Sequence, residues 1–407
     1  MERLSKLFKK SSKCHKCEKS LTFFSKRRKC KICKYVFCRN CSTTTKLFWP
    51  FKVSNFCLSC AGQNKSLGMR RSLHESDIGR KELADSPQPE FSASMIIQDD
   101  SLEDALTHHN PNHKEIIKAK VSLTSQDPLK EYNLVSRIGN GGTSSVFRAH
   151  HKKTGREVAL KRMKVRNSEQ RQNILDEIAI LQLSNHENIV KYYNAYHYKN
   201  EIWVAMEALK CNLTVFIKEN AGAIPEHIIS YICLEIFRGV SWLHSKNRMH
   251  RDIKSENILL SVSGEVKLND FGNCAQLASE NERRITVAGT PYWMAPEVIQ
   301  GEPYDKKCDV WSIGIVVIEM AEGNPPFINE SPEKAMLLIS TRPSYQFTDE
   351  TKWSADFKEF VNLCMQKNPK NRPSAQELLN HRFIENHCSE AVFQKYIEDW
   401  INLRNKM

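Results

Sequence analysis

The run HRDIKSENILL, from His250 to Leu260, decides how the rest of this 407-residue chain is read. Asp252 and Asn257 stand five residues apart on it, so a carboxylate that can accept a proton and an amide oxygen that can reach a hard cation share one short loop. Thirteen residues after Asn257 comes Asp270, the first residue of Asp270-Phe271-Gly272, which adds a second carboxylate. Either motif alone is common by chance; the two in this order and spacing are not. Asp252 could accept a proton, and Asn257 and Asp270 could share a hard divalent cation.

Working outward toward the N-terminus, Leu134 to Met163 alternates like two strands joined by a turn, with glycines at 139, 141 and 142. Glycines there let backbone amides approach phosphates with no side chain in the way. The second strand ends in Val158-Ala159-Leu160-Lys161. About 16 residues further on, Glu177 lies beside a helical stripe of Ile174, Ile178 and Leu181. The strand Glu201 to Leu209 then leads into a connection beginning at Met206 and Glu207. A long helix follows, with Ile228, Ile232, Ile236, Val240 and Leu243 on one face as core.

Taken in order, these features resemble the eukaryotic protein kinase family over about Tyr132 to Phe383, and LNDFGNCAQL and GTPYWMAPEV are similar to the PAK branch of its sterile-twenty-like serine/threonine members. The resemblance implies an α+β, bilobal fold with a sheet-rich N-lobe and a helical C-lobe. It implies ATP bound by Ile138, Gly139, Asn140, Gly141, Gly142, Thr143, Ser144, Ser145, Val146, Ala159, Lys161, Met206, Glu207, Leu259 and Asp270, with Ser144 where the family usually has a third glycine. Met206 takes the gatekeeper position, and Glu177 holds Lys161 toward the phosphates. Asp252 becomes the catalytic carboxylate, Lys254 approaches the γ-phosphate, and Thr290 belongs to the loop that cradles an acceptor serine or threonine. Asn257 and Asp270 hold Mg2+. Thr286 sits where an activating phosphate is received, within reach of Arg251. Two structural expectations complete the set: Glu297 pairs with Arg372, and Asp309 bonds the backbone near Arg251.

The N-terminal segment speaks of different chemistry. Eight of the 14 cysteines form four C-x-x-C pairs, Cys14/Cys17, Cys30/Cys33, Cys38/Cys41 and Cys57/Cys60. Two such knuckles complete one four-sulfur zinc site, so four pairs predict two structural Zn2+ ions. A secreted disulfide framework is the lesser reading, because no targeting signal is present. Residues 10–62 resemble a FYVE finger, which implies a cross-brace in which the first pair shares zinc with the third and the second with the fourth. By that resemblance Phe23 and Phe24 enter a bilayer, while Lys26, Arg27, Arg28 and Lys29 face a phosphoinositide headgroup. The family's paired histidines are absent. A RING-type finger uses the same brace but normally counts a histidine among its ligands, and no ligand position here is His.

Charge divides along the same boundary. Residues 1–65 hold 17 Lys and Arg against 2 Asp and Glu, a formal +15 against +13 for the whole chain, so the other 342 residues carry −2. The basic, partner-seeking surface belongs to the first segment, and nothing in it orders bases, so no nucleic acid is expected. With 40% hydrophobic and 26% charged residues the chain can bury a core, and no apolar run approaches the roughly 20 residues of a membrane span. The expected layout is a zinc finger at 1–65, a flexible linker at 66–131, a kinase domain at 132–384 and a helical tail at 385–407. In the linker, a short amphipathic piece at 102–106 and the histidines at 108, 109 and 113 carry no assigned chemistry. The expected activity is ATP-dependent phosphorylation of protein Ser or Thr, in the cytoplasm and at the periphery of endosomal membranes. Two alternatives stay open: a lipid-docked scaffold with little catalysis, and a kinase whose finger binds protein rather than lipid.

Overall fold

The computed structural model describes residues 121–404 apart from 141–143, 221–222 and 343–344, together with the backbone of five short strands within residues 28–96. The chain divides into two units, Met1–Pro89 with Asp99–Leu106, and Glu90–Gln98 with Thr107–Met407. In the first unit, β1 (Arg28–Lys29) pairs antiparallel with β2 (Val36–Phe37), and β3 (Ser42–Lys46) with β4 (Val53–Cys57). Of the eight expected zinc ligands only Cys57 falls on one of these strands; Cys14, Cys17, Cys30, Cys33, Cys38, Cys41 and Cys60 lie outside the described residues, as do Phe23, Phe24, Lys26 and Arg27. The linker stretch at 102–106 and its three histidines lie outside them too.

In the second unit β5 (Met95–Ile96) precedes a five-stranded antiparallel sheet built from β6 (Tyr132–Asn140), β7 (Ser144–His151), β8 (Glu157–Lys164), β9 (Tyr192–Tyr198) and β10 (Glu201–Glu207). The spatial order is β6-β7-β8-β10-β9. Alternate residues of these strands face one cluster, in which Ala149, Leu160, Tyr196 and Ala205 are wholly buried. Described residues ahead of Tyr132 also join the sheet. Thr124 donates its backbone N–H to the Ala195 carbonyl at 2.9 Å, and Asp127 caps a 3-10 turn over Pro128–Lys130. Helix α1 (Ser168–Gln182) crosses between β8 and β9, its first turn capped by the Asn167 side chain accepting from the Gln170 N–H.

The C-lobe is organised by two largely buried helices. After β11 (Cys211–Asn212) and α2 (Leu213–Asn220), α3 (Glu226–Ser245) buries Ile228, Ile232, Ile236, Val240 and Leu243, the stripe expected from sequence. The short strands β12 (Arg248–Met249), β13 (Ile258–Leu260), β14 (Val266–Leu268), β15 (Ala275–Gln276) and β16 (Ala288–Gly289) carry the loops between them; β16 pairs with β5, Met95 opposite Gly289. Beyond α4 (Pro296–Gln300), helix α5 (Lys307–Glu322) is apolar on nearly every side and buried throughout most of its length. Gly314 lets it close on α7 (Ala355–Cys364), because a β-carbon there would lie 2.7 Å from Cys364 Cβ. Helices α6 (Pro332–Thr341), α8 (Ala375–Leu378), α9 (Arg382–Glu385) and α10 (Glu390–Arg404) finish the lobe. Among the described residues no helix is long and apolar enough to cross a membrane.

Candidate active site

Sheet register sets the first charged group. Lys161 lies in the middle of β8, opposite Val146 on one side and Val204 on the other, so β7 and β10 fix its backbone from both edges. Its Nζ donates to Glu177 Oε1 at 2.7 Å and to Asp270 Oδ1 at 2.9 Å. One cation therefore joins the strand, α1 and the loop after β14. Burial works against the lysine charge, but the carboxylates of Asp270 and Glu177 outweigh it and raise its pKa. Burial chiefly raises the pKa of Glu177, with Lys161 opposing. Asp270 is held down at about 2, mainly by the Lys161 charge. It is thus a permanent anion at neutral pH.

Register also pairs Ala159 with Met206 and Gly139 with Val146, which brings four of the residues expected to line the nucleotide site onto adjacent strands. Ile138 is half exposed, whereas Met206 is buried. On β7, Ser145 accepts from Arg137 Nη2 at 3.2 Å, and Asn140 accepts from the same guanidinium. Ser144 opens that strand opposite Met163. Gly141, Gly142 and Thr143 lie outside the described residues. Leu259 lies on the three-stranded sheet β11-β13-β14, opposite Asn212. The side chain of Glu207 is turned away to Lys267, whose Nζ reaches both its oxygens at 2.8 and 3.0 Å, and its N–H donates to the Lys191 carbonyl. What Glu207 can offer a nucleotide is accordingly its main-chain carbonyl.

The catalytic loop is held from below by Asp309, wholly buried at the start of α5. Its carboxylate accepts from the backbone N–H groups of His250 at 2.9 Å and Arg251 at 2.8 Å and from His244 Nε2 at 2.9 Å. Burial alone would raise this carboxyl; the His244 bond and the backbone donors win and lower it. These bonds secure Arg251 at φ 65°, a left-handed conformation that costs a non-glycine residue about 1–2 kcal/mol. Asp270 is held likewise at φ 63°. Gly289, at φ 121°, passes so close to the same loop that a β-carbon would lie 2.6 Å from the Arg251 carbonyl.

On this frame Asp252, Lys254, Asn257 and Thr290 converge. Thr290 Oγ1 donates to Asp252 Oδ1 at 2.7 Å and accepts from Lys254 Nζ at 3.0 Å. Asn257 Nδ2 donates to the Asp252 carbonyl at 2.8 Å and to its Oδ2 at 3.3 Å. The amide nitrogen is committed, so the amide oxygen is the end left for a cation. Asn257 also accepts the Asn269 N–H through its main-chain carbonyl, which couples this loop to the residue before Asp270. One amide oxygen and one ionised carboxylate are hard ligands of the kind Mg2+ takes when phosphates and water complete its octahedron. Asn257 and Asp270 therefore fit that ion. Among the described residues no group of three His, Cys, Asp or Glu side chains could hold a metal alone.

The arrangement matches a known family model, that of the protein kinase domain, over residues 132–384. The chain belongs to the protein kinase family. Among curated relatives it is 41% identical over 278 residues to the serine/threonine-protein kinase pakA of Dictyostelium discoideum, covering 68% of this chain and 23% of that protein. It is 37% identical over 334 residues to pakC of the same organism, covering 80% and 69%, and 40% identical over 292 residues to the mouse serine/threonine-protein kinase PAK 1, covering 69% and 53%. The similarity thus places this kinase with the PAK-type serine/threonine enzymes, though the chain spans only a quarter to a third of the length of some relatives.

Several residues of the kinase site left no mark in the sequence reading. Lys267 fixes Glu207 across 60 positions. Glu319 on α5, almost wholly buried, accepts from Ser255 Oγ at 2.5 Å and Trp293 Nε1 at 3.2 Å, which braces the catalytic loop from behind. Tyr304 donates to the Thr286 carbonyl at 2.7 Å and accepts from Arg251 Nη1 at 3.2 Å. Arg251 is therefore linked to Thr286 through a phenol, while its Nε donates to the Asn273 carbonyl at 2.7 Å. The two structural pairs expected from sequence are present: Arg372 makes a fork to Glu297 at 2.6 and 3.1 Å, and Asp309 bonds the catalytic loop.

Proposed function

We propose that the protein transfers the γ-phosphoryl group of ATP to serine or threonine side chains of other proteins. The observation that carries this reading is the Asp252–Thr290–Lys254 triangle: a carboxylate and an ammonium hold one hydroxyl between them, as an acceptor hydroxyl must be held for transfer. Asp252 accepts the proton of the incoming hydroxyl, and Lys254 offsets charge on the oxygens of the moving group. Lys161, kept charged and aimed by Glu177, steadies the remaining phosphates. Magnesium bound at Asn257 and Asp270 would neutralise phosphate charge. In the purified full-length chain, Asp252→Asn should lower turnover of a serine peptide by about 10³-fold or more while ATP affinity stays within about twofold. Turnover within tenfold of wild type would overturn the assignment. A tyrosine peptide should not be phosphorylated.

Two finer readings accompany this one. Thr286 is the site of an activating phosphate, a reading supported by the Tyr304 bridge from its carbonyl to Arg251. Thr286→Ala should then lower activity and abolish its response to phosphatase. The N-terminal segment is a two-zinc, FYVE-like finger that brings the kinase to phosphoinositide membrane. Its support is the four C-x-x-C pairs, the +15 charge of residues 1–65 and the Phe23-Phe24 pair beside Lys26, Arg27, Arg28 and Lys29. Metal analysis should find two zinc ions per chain. Replacing Phe23 and Phe24 with Ser should reduce sedimentation with liposomes containing phosphatidylinositol 3-phosphate; unchanged sedimentation would turn the finger into a protein adaptor.

A further inference from the structure

A second cleft owes nothing to the residues that surround Asp252. It encloses about 330 Å³ between α3, the turn from α1 into β9, and the beginning of α10, and its lining includes Glu187, Asn188, Glu235, Arg238, Glu265 and Glu390. Glu390 lies past residue 384, where the match to the kinase family ends. One wall is therefore built by residues past the end of the family match.

The chemistry of the lining is lopsided. Four glutamates face one arginine. Arg238 Nη1 is taken by Glu235 at 2.6 Å, and Glu265 is paired to Lys267 at 2.9 Å. Glu187 and Glu390, both exposed, have no ion-pair partner among the described residues. In the same lining, Asn188 is only 2% exposed. Its Nδ2 donates to Glu235 Oε2 at 2.6 Å and to the Val266 carbonyl at 3.1 Å, yet its Oδ1 accepts no hydrogen bond. A buried acceptor without a donor is a cost that folded proteins seldom leave uncompensated. The cleft thus combines an unused buried acceptor with two unpaired carboxylates, and what the set lacks is a donor carrying positive charge. A bare metal ion does not supply it, because no three ligating side chains lie close enough together among the described residues. An ammonium or guanidinium on a flexible stem does: it brings several N–H donors, its charge and a slender apolar chain into one cavity.

We propose that this cleft docks a lysine or arginine side chain from a basic segment of a partner protein, with the cationic head between Glu187 and Glu390 and a donor directed to Asn188. Because the docked residue occupies none of the catalytic groups, the segment can be held while an acceptor is phosphorylated.

The test uses the full-length chain and a fluorescent arginine-rich peptide lacking Ser, Thr and Tyr, with its citrulline counterpart as the neutral isostere. Anisotropy should show binding of the arginine peptide only. Glu187→Gln/Glu390→Gln, a change of two exposed side chains, should weaken it by about tenfold or more. The same variant should keep kcat and KM for ATP and for a short serine peptide. Equal affinity in wild type and double variant would mean that the cation sits elsewhere and would overturn the proposal; so would equal binding of the citrulline peptide, or no binding of either.

Discussion

Two buried ion pairs in this molecule have nearly the same length and opposite uses. Lys161–Glu177 is 2.7 Å long and Arg372–Glu297 is 2.6 Å long. Arg372 is wholly enclosed, its guanidinium also donating to the Lys307 and Gln366 carbonyls, so every donor has a fixed protein acceptor. Lys161 has a second, slightly longer partner in Asp270 at 2.9 Å, whose side chain is 38% exposed. A closed network holds segments together; an open one keeps a charge available to something that arrives later. Bond length does not separate the two cases. What separates them is whether one partner still faces solvent.

The same substitution at both sites would break or sharpen this contrast. Lys161→Met should have the larger effect, on activity: about 10³-fold in kcat/KM, or about 4 kcal/mol of transition-state stabilisation. Its unfolding free energy should fall by less, since Asp270 can hydrate and Glu177, already raised in pKa by burial, can take a proton. Arg372→Met should instead unfold the protein more easily, by about 3–5 kcal/mol in urea titration, because Glu297 is left buried without its cation. If the two variants lost equal stability, the distinction between open and closed networks would fail.

A third buried carboxylate, Glu319, extends the contrast. Burial raises the Glu319 pKa from 4.5 to about 7, and neither Ser255 nor Trp293 brings a charge to oppose it. The folded state therefore binds this proton more tightly than the unfolded state. Its contribution is complete below about pH 4.5 and is lost as pH rises through about 7. Glu319→Gln, which stays neutral and can still serve both neighbours, should gain stability relative to wild type between pH 5 and pH 8, read as a shift in urea midpoint. A difference that does not change with pH would show that Glu319 remains ionised.

What could be read from the sequence follows from how the pieces are spaced. Asp252, Asn257 and Asp270 were legible because one loop and the next must present them in fixed order, and Lys161 because a strand carries it after a glycine turn. The buried stripe of α3 was legible from its period. The braces were not. Ser255 and Glu319 are 64 residues apart, and Tyr304 reaches Thr286 from another element. A serine, a tyrosine or a lone lysine has no pattern of its own; only the packing of elements distant in sequence gives such residues a partner. The tie at Thr124 left no mark in the sequence for the same reason, since one bridge to Tyr196 joins an aperiodic stretch to the sheet.

Helix α10 lies past the end of the family match yet packs into the same core. Phe216 meets Trp400 edge-on at 5.2 Å and Tyr396 at 6.0 Å, Tyr231 lies 4.6 Å from Phe393, and Arg404 reaches Glu219. All four tail residues follow residue 384, the last one matched to the family. A protein trimmed at that point would keep every catalytic group and lose the cover over two aromatic faces, so its boundary would be drawn through the middle of a folding unit.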